Sequence, residues 1–285
     1  MVKVSVFFSL LVLITFGFTG CLEPSDQTNR AVNLSEGAWI DLTYPFDQNT
    51  IYWPSDTVGF KLDTVFSGIT DQDYFYCAFS FSSAEHGGTH LDAPVHFAKG
   101  MKSVEALTLD QLIGRAVIVD VSSRALKDRD YLVSIEDFLG WEKDYGLLPE
   151  QSIVLIRTGY GKFWPDREGY LGTSRKGPEA VAFLHFPGLD PDAALWLTTE
   201  RSIKAIGLDT PSIDYGQSGT FKSHRILFAH NIPAFENLAN LDKLPTLGAW
   251  IVALPMSISG GSGAPLRAVA WLPPVHELRT EVLMD

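Results

Sequence analysis

The groups best suited to chemistry are concentrated in one segment, His86-Gly87-Gly88-Thr89-His90-Leu91-Asp92-Ala93-Pro94-Val95-His96-Phe97. Seven histidines serve 285 residues, yet three stand in this single run. Two glycines and a proline oppose a helix here, and at roughly 100° per residue a helix would turn Asp92 about 240° away from His86. An extended chain, whose side chains alternate, puts His86, His90, Asp92 and His96 on one face. Two imidazoles and a carboxylate converging on a point make a site for a first-row divalent metal, and the lack of thiolates suits Zn²⁺ or Mn²⁺. The plainer alternative is a polar turn with structural histidines.

Other chemistries find no support. Gly216-Gln217-Ser218-Gly219-Thr220 and Gly260-Gly261-Ser262-Gly263-Ala264 both lack the final glycine of a serine nucleophile elbow. No phosphate-binding loop or dinucleotide fingerprint occurs. With 22 Lys plus Arg against 34 Asp plus Glu, the net charge is −12, which argues against nucleic acid as a partner.

The elements that must hold the segment in place read as α/β. Short apolar runs suited to buried strands recur at Ala116–Val119, Ile153–Ile156, Ala205–Leu208, Trp250–Leu254 and Ala268–Trp271. Helix starts lie between them. Thr108 with Gln111 forms a capping box before Leu112 and Ile113, Ser134 opens a helix that Gly146 closes, and Asp190 precedes Pro191. Hydrophobic residues at 46% and charged residues at 20% are values of a folded globular chain.

Lys3, the apolar run Val6–Phe18 and Thr19-Gly20-Cys21 have the outline of an export signal over residues 1–20. Cys21 after a small residue suggests a lipidated N-terminus and membrane attachment, in a periplasmic or extracellular setting. A simple cleaved signal and an uncleaved anchor are the alternatives. Residues 21–37 read as a tether and 38–285 as one domain. With only two cysteines, no disulfide framework can form, and Cys77 is expected to be a buried structural thiol.

The motif at His86–Phe97 resembles that of the metal-dependent cyclase-like hydrolases, the family of bacterial kynurenine formamidases and isatin hydrolases: H-x-G-T-H-x-D-x-P-x-H-F is matched at every fixed position. Further similarity lies in Tyr52-Trp53-Pro54, Gly207–Asp214, His224, Glu236-Asn237-Leu238 and Gly263–Arg267. The resemblance implies a swivelling β/β/α single domain with a mixed sheet, assembled as a dimer or tetramer. It implies that His86, His90 and Asp92 hold a first metal, that Asp92 bridges to a second held by His224 and Glu236, and that one or two ions bind. It further implies that His96 is the acid/base and that Trp53 lies beside the substrate ring, although Trp53 reads equally as core. Asp209 and Asp214 read first as turn-holding carboxylates. His185, His230 and His276 match no ligand position.

The activity implied is hydrolysis of a carbon–nitrogen amide bond, in an isatin-like cyclic amide or an N-formyl aryl amine, by water activated on the metal. His96 would carry the proton to the leaving nitrogen. Kynurenine formamidases of this family lack an export signal and the added sequence around Trp141–Tyr170, which favours the isatin-like lactam over N-formylkynurenine. An exported metal or ligand binder without turnover is the reading from another class.

Overall fold

The computed structural model describes residues 33–274. The proposed export signal, Cys21, most of the tether and His276 lie outside them. Among the described residues no helix is long and apolar enough to cross a membrane.

In chain order the strands are β1 (Ala38–Asp41), β2 (Lys61–Ile69), β3 (Phe75–Ser82), β4 (His90–Asp92), β5 (Ile113–Asp120), β6 (Leu132–Val133), β7 (Ile153–Arg157), β8 (Gly188–Leu189), β9 (Ala205–Leu208), β10 (Ala234–Glu236), β11 (Ala249–Pro255) and β12 (Gly263–Leu272). The helices are α1 (Leu109–Leu112), α2 (Ser122–Ala125), α3 (Ile135–Tyr145), α4 (Arg167–Leu171), α5 (Pro191–Thr199) and α6 (Lys222–Ala229). The main sheet runs β12-β11-β5-β7-β9-β10-β4, and β4 pairs again with β12, so seven strands close into a mixed barrel with β1 added along β12. β5, β7, β9 and β10 are parallel neighbours, and the other pairs are antiparallel.

Alternation along the parallel strands divides the core in two. Ala116, Ile118, Ile153, Leu155 and Ala205 point into the barrel with Leu91, Phe235, Ala268 and Ala270. Val117, Val119, Val154, Ile156, Ile206 and Leu208 point outward, against Phe138, Trp141, Leu197, Leu227 and Phe228 of the helices. Strands buried on both faces lose their polar alternation, which is why they read as continuous apolar runs. The small inward residues leave little room: a Cβ on Gly207 would come within 2.9 Å of both Leu155 and Leu238.

The capping signals operate as expected at α3 and α5. Asp190 accepts from Asp192 N–H at 2.8 Å, and Gly146 closes α3 with φ of 88°. At α1 the capping box opens only one turn, because Ile113 already belongs to β5.

Two expectations need correction. The motif segment is not one extended strand: Gly87 forms an isolated bridge to Tyr52, Gly88 takes φ of +57°, β4 spans three residues, and Pro94–His96 is a 3-10 turn. Left-handed Gly88 and ring-locked Pro94 break the extended run at both ends. Cys77 is exposed, not buried, because it lies on the separate two-stranded sheet of β2 and β3.

Candidate metal centre

The antiparallel pairing of β4 with β10 sets His90 opposite Glu236. Directly opposed residues share a face, and Asp92, two positions on from His90, shares it too. Leu91 and Phe235 turn the other way, into the barrel. His90 Nε2 therefore lies 3.4 Å from Glu236 Oε2 and 3.1 Å from Asp92 Oδ1. Helix α6 brings His224 over the same spot, with Nε2 3.1 Å from Glu236 Oε1 and 3.3 Å from Asp92 Oδ2. His86, on the turn before β4, sets Nδ1 2.6 Å from Asp92 Oδ1. The result is two triads that share Asp92, His86–His90–Asp92 and Asp92–His224–Glu236, each with ligand atoms within 4.8 Å of one another.

An outer partner sets the orientation of each imidazole. His90 Nδ1–H donates to Gly88 O at 3.0 Å, and the Asn237 amide donates to the same carbonyl at 2.7 Å. His224 Nδ1–H donates to Asp214 at 2.6 Å, and Asp214 is itself fixed by the backbone N–H groups of Ser223 and His224. The Ser262 hydroxyl donates to Glu85 at 2.6 Å, so its oxygen accepts from His86 Nε2–H at 3.0 Å. These bonds leave Nε2 of His90, Nε2 of His224 and Nδ1 of His86 as the free donor atoms, all facing Asp92. Such partners, behind the ligands, are what orient histidines at metal sites.

The electrostatics point the same way. Burial pushes the His90 imidazole down, but the hydrogen bond and charge of Asp92, with Glu236, overcome it and lift the group to about 9. Burial likewise opposes the charge on His224, and bonds to Asp214, Asp92 and Glu236 hold it well above the ordinary imidazole value. Burial and the charge of Asp92 raise Glu236. Asp92 is held well below the carboxylate range, its burial outweighed by the surrounding imidazoles. Two buried carboxylates side by side demand positive charge, and here protons on histidine meet the demand. A hard or borderline divalent cation with N and O ligands would meet it better, so the donor set fits.

His96 reaches the site from the 3-10 turn. Its ring stacks on His86 with centroids 3.9 Å apart and meets Phe97 edge-on at 4.4 Å. Burial lowers it to about 4, against the pull of Asp92, so it is neutral near pH 7. The cluster forms one wall of a cavity of about 190 Å³ whose other side is apolar, lined by Ile51, Trp53, Phe97, Pro211 and Phe221. Trp53 faces the cavity and also packs on Phe186, with centroids 6.3 Å apart.

Of the two motif aspartates, Asp214 orients His224, whereas Asp209 holds the loop after β7 through the N–H groups of Thr158, Gly159 and Gly161. His185 pairs with Asp130, and His230 bonds Ile226 O; neither contacts the cluster. Sequence reasoning missed Glu85 and Ser262 behind the imidazoles and Asp56 on the cavity wall, and gave Asn237 no role beyond its place in the matched segment. A hint was available in Gly263: a Cβ there would fall 2.4 Å from the His86 ring, so this glycine is required by the imidazole next to it.

The model of the Cyclase family matches residues 40–215. An isatin hydrolase of Roseibium aggregatum is 34% identical over 66% of this chain and 72% of its own length. A kynurenine formamidase of Bacillus cereus is 29% identical over 81% of this chain and 96% of its own. Among solved structures, isatin hydrolase A from Ralstonia solanacearum superposes with a TM-score of 0.76 at 29% identity, covering 84% of this chain and 93% of that one.

Proposed function

We infer the reaction from the premise that this chain belongs to the Cyclase family: it is a metal-dependent hydrolase of carbon–nitrogen amide bonds. Its substrate, in this reading, is a compact aromatic cyclic amide of the isatin type. The observation that carries the reading is the cavity of about 190 Å³, which sets an apolar wall with Trp53 and Phe221 opposite the two triads. That space suits a small fused ring better than an N-formyl aryl amine bearing an amino-acid side chain.

His86, His90 and Asp92 would hold one ion, and Asp92, His224 and Glu236 a second, with Zn²⁺ or Mn²⁺ the expected metals. When bound, such an ion lowers the pKa of coordinated water to about 7 and polarises a carbonyl. The chain does the rest. Trp53 and Phe221, neighbours with centroids 6.2 Å apart, would line one side of the ring and exclude water from it. Asp214, Ser262 and Asn237 hold the three imidazoles in register. Neutral His96 takes a proton on the substrate side of His86 and, being a strong acid once protonated, gives it up to the leaving nitrogen. Proton transfer by His96 also separates this reading from a non-catalytic metal binder, which has no use for a sixth group.

The deciding assay uses purified protein on isatin and on N-formylkynurenine, before and after chelation and with Zn²⁺ or Mn²⁺ restored. Metal-dependent opening of isatin with the higher kcat/KM is expected; a higher kcat/KM for N-formylkynurenine would reassign the substrate, and no turnover of either would leave the binder. For location, the Lys3, Val6–Phe18 and Cys21 pattern supports an exported protein beginning at or near Cys21, held at a membrane by a lipid. Mass spectrometry of the native N-terminus tests this, and an intact Met1 would overturn it.

A further inference from the structure

A second cavity, of about 170 Å³, borders the one that holds the triads. The two share Tyr52, Trp53 and Asp56, so the turn closed by the Asp56 N–H on Trp53 O is the wall between them. The second space is completed by the chain after β7. Arg167 opens α4, and Lys176 precedes Gly177, whose N–H donates to Pro54 O at 2.8 Å and ties that loop to the turn. The charges therefore differ across the wall: carboxylates and imidazoles on one side, a guanidinium and an ammonium on the other.

Arg124, Arg157, Arg201 and Arg267 each pair with a carboxylate. Arg167 pairs with none among the described residues. Its hydrogen bond there runs from a terminal N–H to Tyr52 O at 3.2 Å, and its Nε–H is buried with no acceptor. Burial pushes the guanidinium below its ordinary value, and no neighbouring charge opposes the shift. An arginine cannot shed its proton to relieve that cost, so a half-buried guanidinium without a counter-charge carries a penalty that an anion would remove. The aspartates on this cavity are otherwise engaged. Asp47 accepts from Asn49 N–H at 2.7 Å within its own turn, and the charges acting on Asp56 are those of His86 and His90 across the wall.

We propose that this second cavity is an anion subsite, in which Arg167 and Lys176 bind a small oxyanion group, a carboxylate or a sulfonate, beside the reacting ring. The donors select the class: the planar guanidinium matches two oxygens of one group, and the ammonium adds a point charge. A neutral amide could accept from the Nε–H, but it would leave the charge uncompensated. Two sources share the chemistry: an acidic substituent on the lactam, which rests on the substrate reading above, and a free small acid, which does not. The common wall favours the substituent, because a ring held beside Trp53 already lies against the second space.

Methanesulfonate, a poor metal ligand, probes the subsite without turnover. Titration calorimetry of the metal-loaded full chain should show saturable binding, and Arg167→Gln and Lys176→Gln should each weaken it by ~10-fold or more, the usual loss of a charged hydrogen-bond partner. Circular dichroism and elemental analysis check that each variant is folded and metal-replete. Kinetics on isatins bearing a carboxylate at each ring carbon in turn then separate the sources. If the substituent is the ligand, at least one of them has a KM ~10-fold or more below that of isatin, and both variants erase the preference. If methanesulfonate binds as expected but no carboxylate lowers KM, the subsite stands and its ligand is a free acid. No saturable binding to the wild type, or binding unchanged in the folded variants, overturns the subsite. Should Arg167→Gln not fold, exposed Lys176→Gln decides by the same criteria. Calorimetry needs no turnover, so a protein that hydrolyses no lactam yet binds methanesulfonate through these two residues refutes the substrate reading and retains the subsite.

Discussion

Around Asp92, two imidazoles and two carboxylates are packed with no more than 4% of any side chain exposed. On the hairpin of β2 and β3, phenylalanines and aliphatic residues stand more than half in solvent. The two regions depart from the ordinary partition of residues in opposite directions, one by burying charge and the other by exposing apolar surface. Their local construction differs as well. The polar cluster is braced on three sides, by β4 and β10, by α6, and by the Glu85–Ser262 contact, whereas among the described residues the hairpin has strand neighbours on neither outer edge. The two departures differ in what they ask for: the buried carboxylates call for positive charge, and the apolar face of the hairpin is left uncovered among the described residues.

The strongest test of the contrast is at Asp92, the carboxylate shared by both triads. Asp92→Asn should empty the centre of metal by elemental analysis and lower hydrolysis by on the order of 10³-fold or more, since an ion supplies several kcal/mol of barrier lowering. Full metal occupancy in that variant would show that the cluster does not need the shared carboxylate. Next is His96→Ala, which should keep its metal and its melting temperature while turnover drops by roughly 10²- to 10⁴-fold, the usual range for a positioned acid/base. Loss of metal along with activity would make His96 a ligand instead. Asp214→Asn acts one bond further out, through His224, and should weaken metal affinity by about 10- to 100-fold while leaving saturated activity measurable. An unchanged titration curve would return Asp214 to a purely turn-holding role.

The smallest effect is expected away from both regions, at the Glu142–Arg201 pair, 2.6 Å apart. The hydrogen bond from Arg201 holds the Glu142 carboxyl below its ordinary value. Its stabilisation is therefore complete above the ordinary carboxylate value and is lost as pH falls through the lowered one. Glu142→Gln should cost about 1 kcal/mol near neutral pH, roughly 2–4 °C in Tm, and the gap to wild type should close as pH falls through the lowered carboxyl value. Metal content and oligomeric mass should not change, which makes this variant the control for the other three. A gap that persists in acid would show that the amide fails for reasons of packing.

Local patterns account for much of the architecture. The five apolar runs are all strands: those of β5, β7 and β9 are covered on both faces, which calls for continuous β-branched and aliphatic residues, whereas those of β11 and β12 alternate and leave Trp250 and Leu254 exposed. α3 and α5 begin at the residues whose side chains satisfy their first N–H groups. The spacing of His86, His90 and Asp92 was informative for a similar reason: β4 is short, but it contains the two positions that alternation must place together. The approach of His96 was less legible. Its stacking on His86 depends on the turn at Pro94, so the extended-strand argument reached the right neighbourhood by a path the chain does not take.

From its residues alone, the chain determined an α/β domain, a cluster of histidines and a carboxylate in one short segment, and the lack of a G-x-S-x-G elbow, because each follows from residue type or from contacts within a few positions. His224 and Glu236 lie more than a hundred residues beyond His90, and no period or cap links them to it; family resemblance pointed to them, but their meeting is fixed by the register of β10 on β4 and the packing of α6. The same limit explains Cys77. The alternation Phe75, Cys77, Phe79, Phe81 declares an apolar face, and an apolar face alone reads as core. Whether that face is covered depends on where the closed barrel leaves the hairpin, a property of the whole fold that local sequence does not encode.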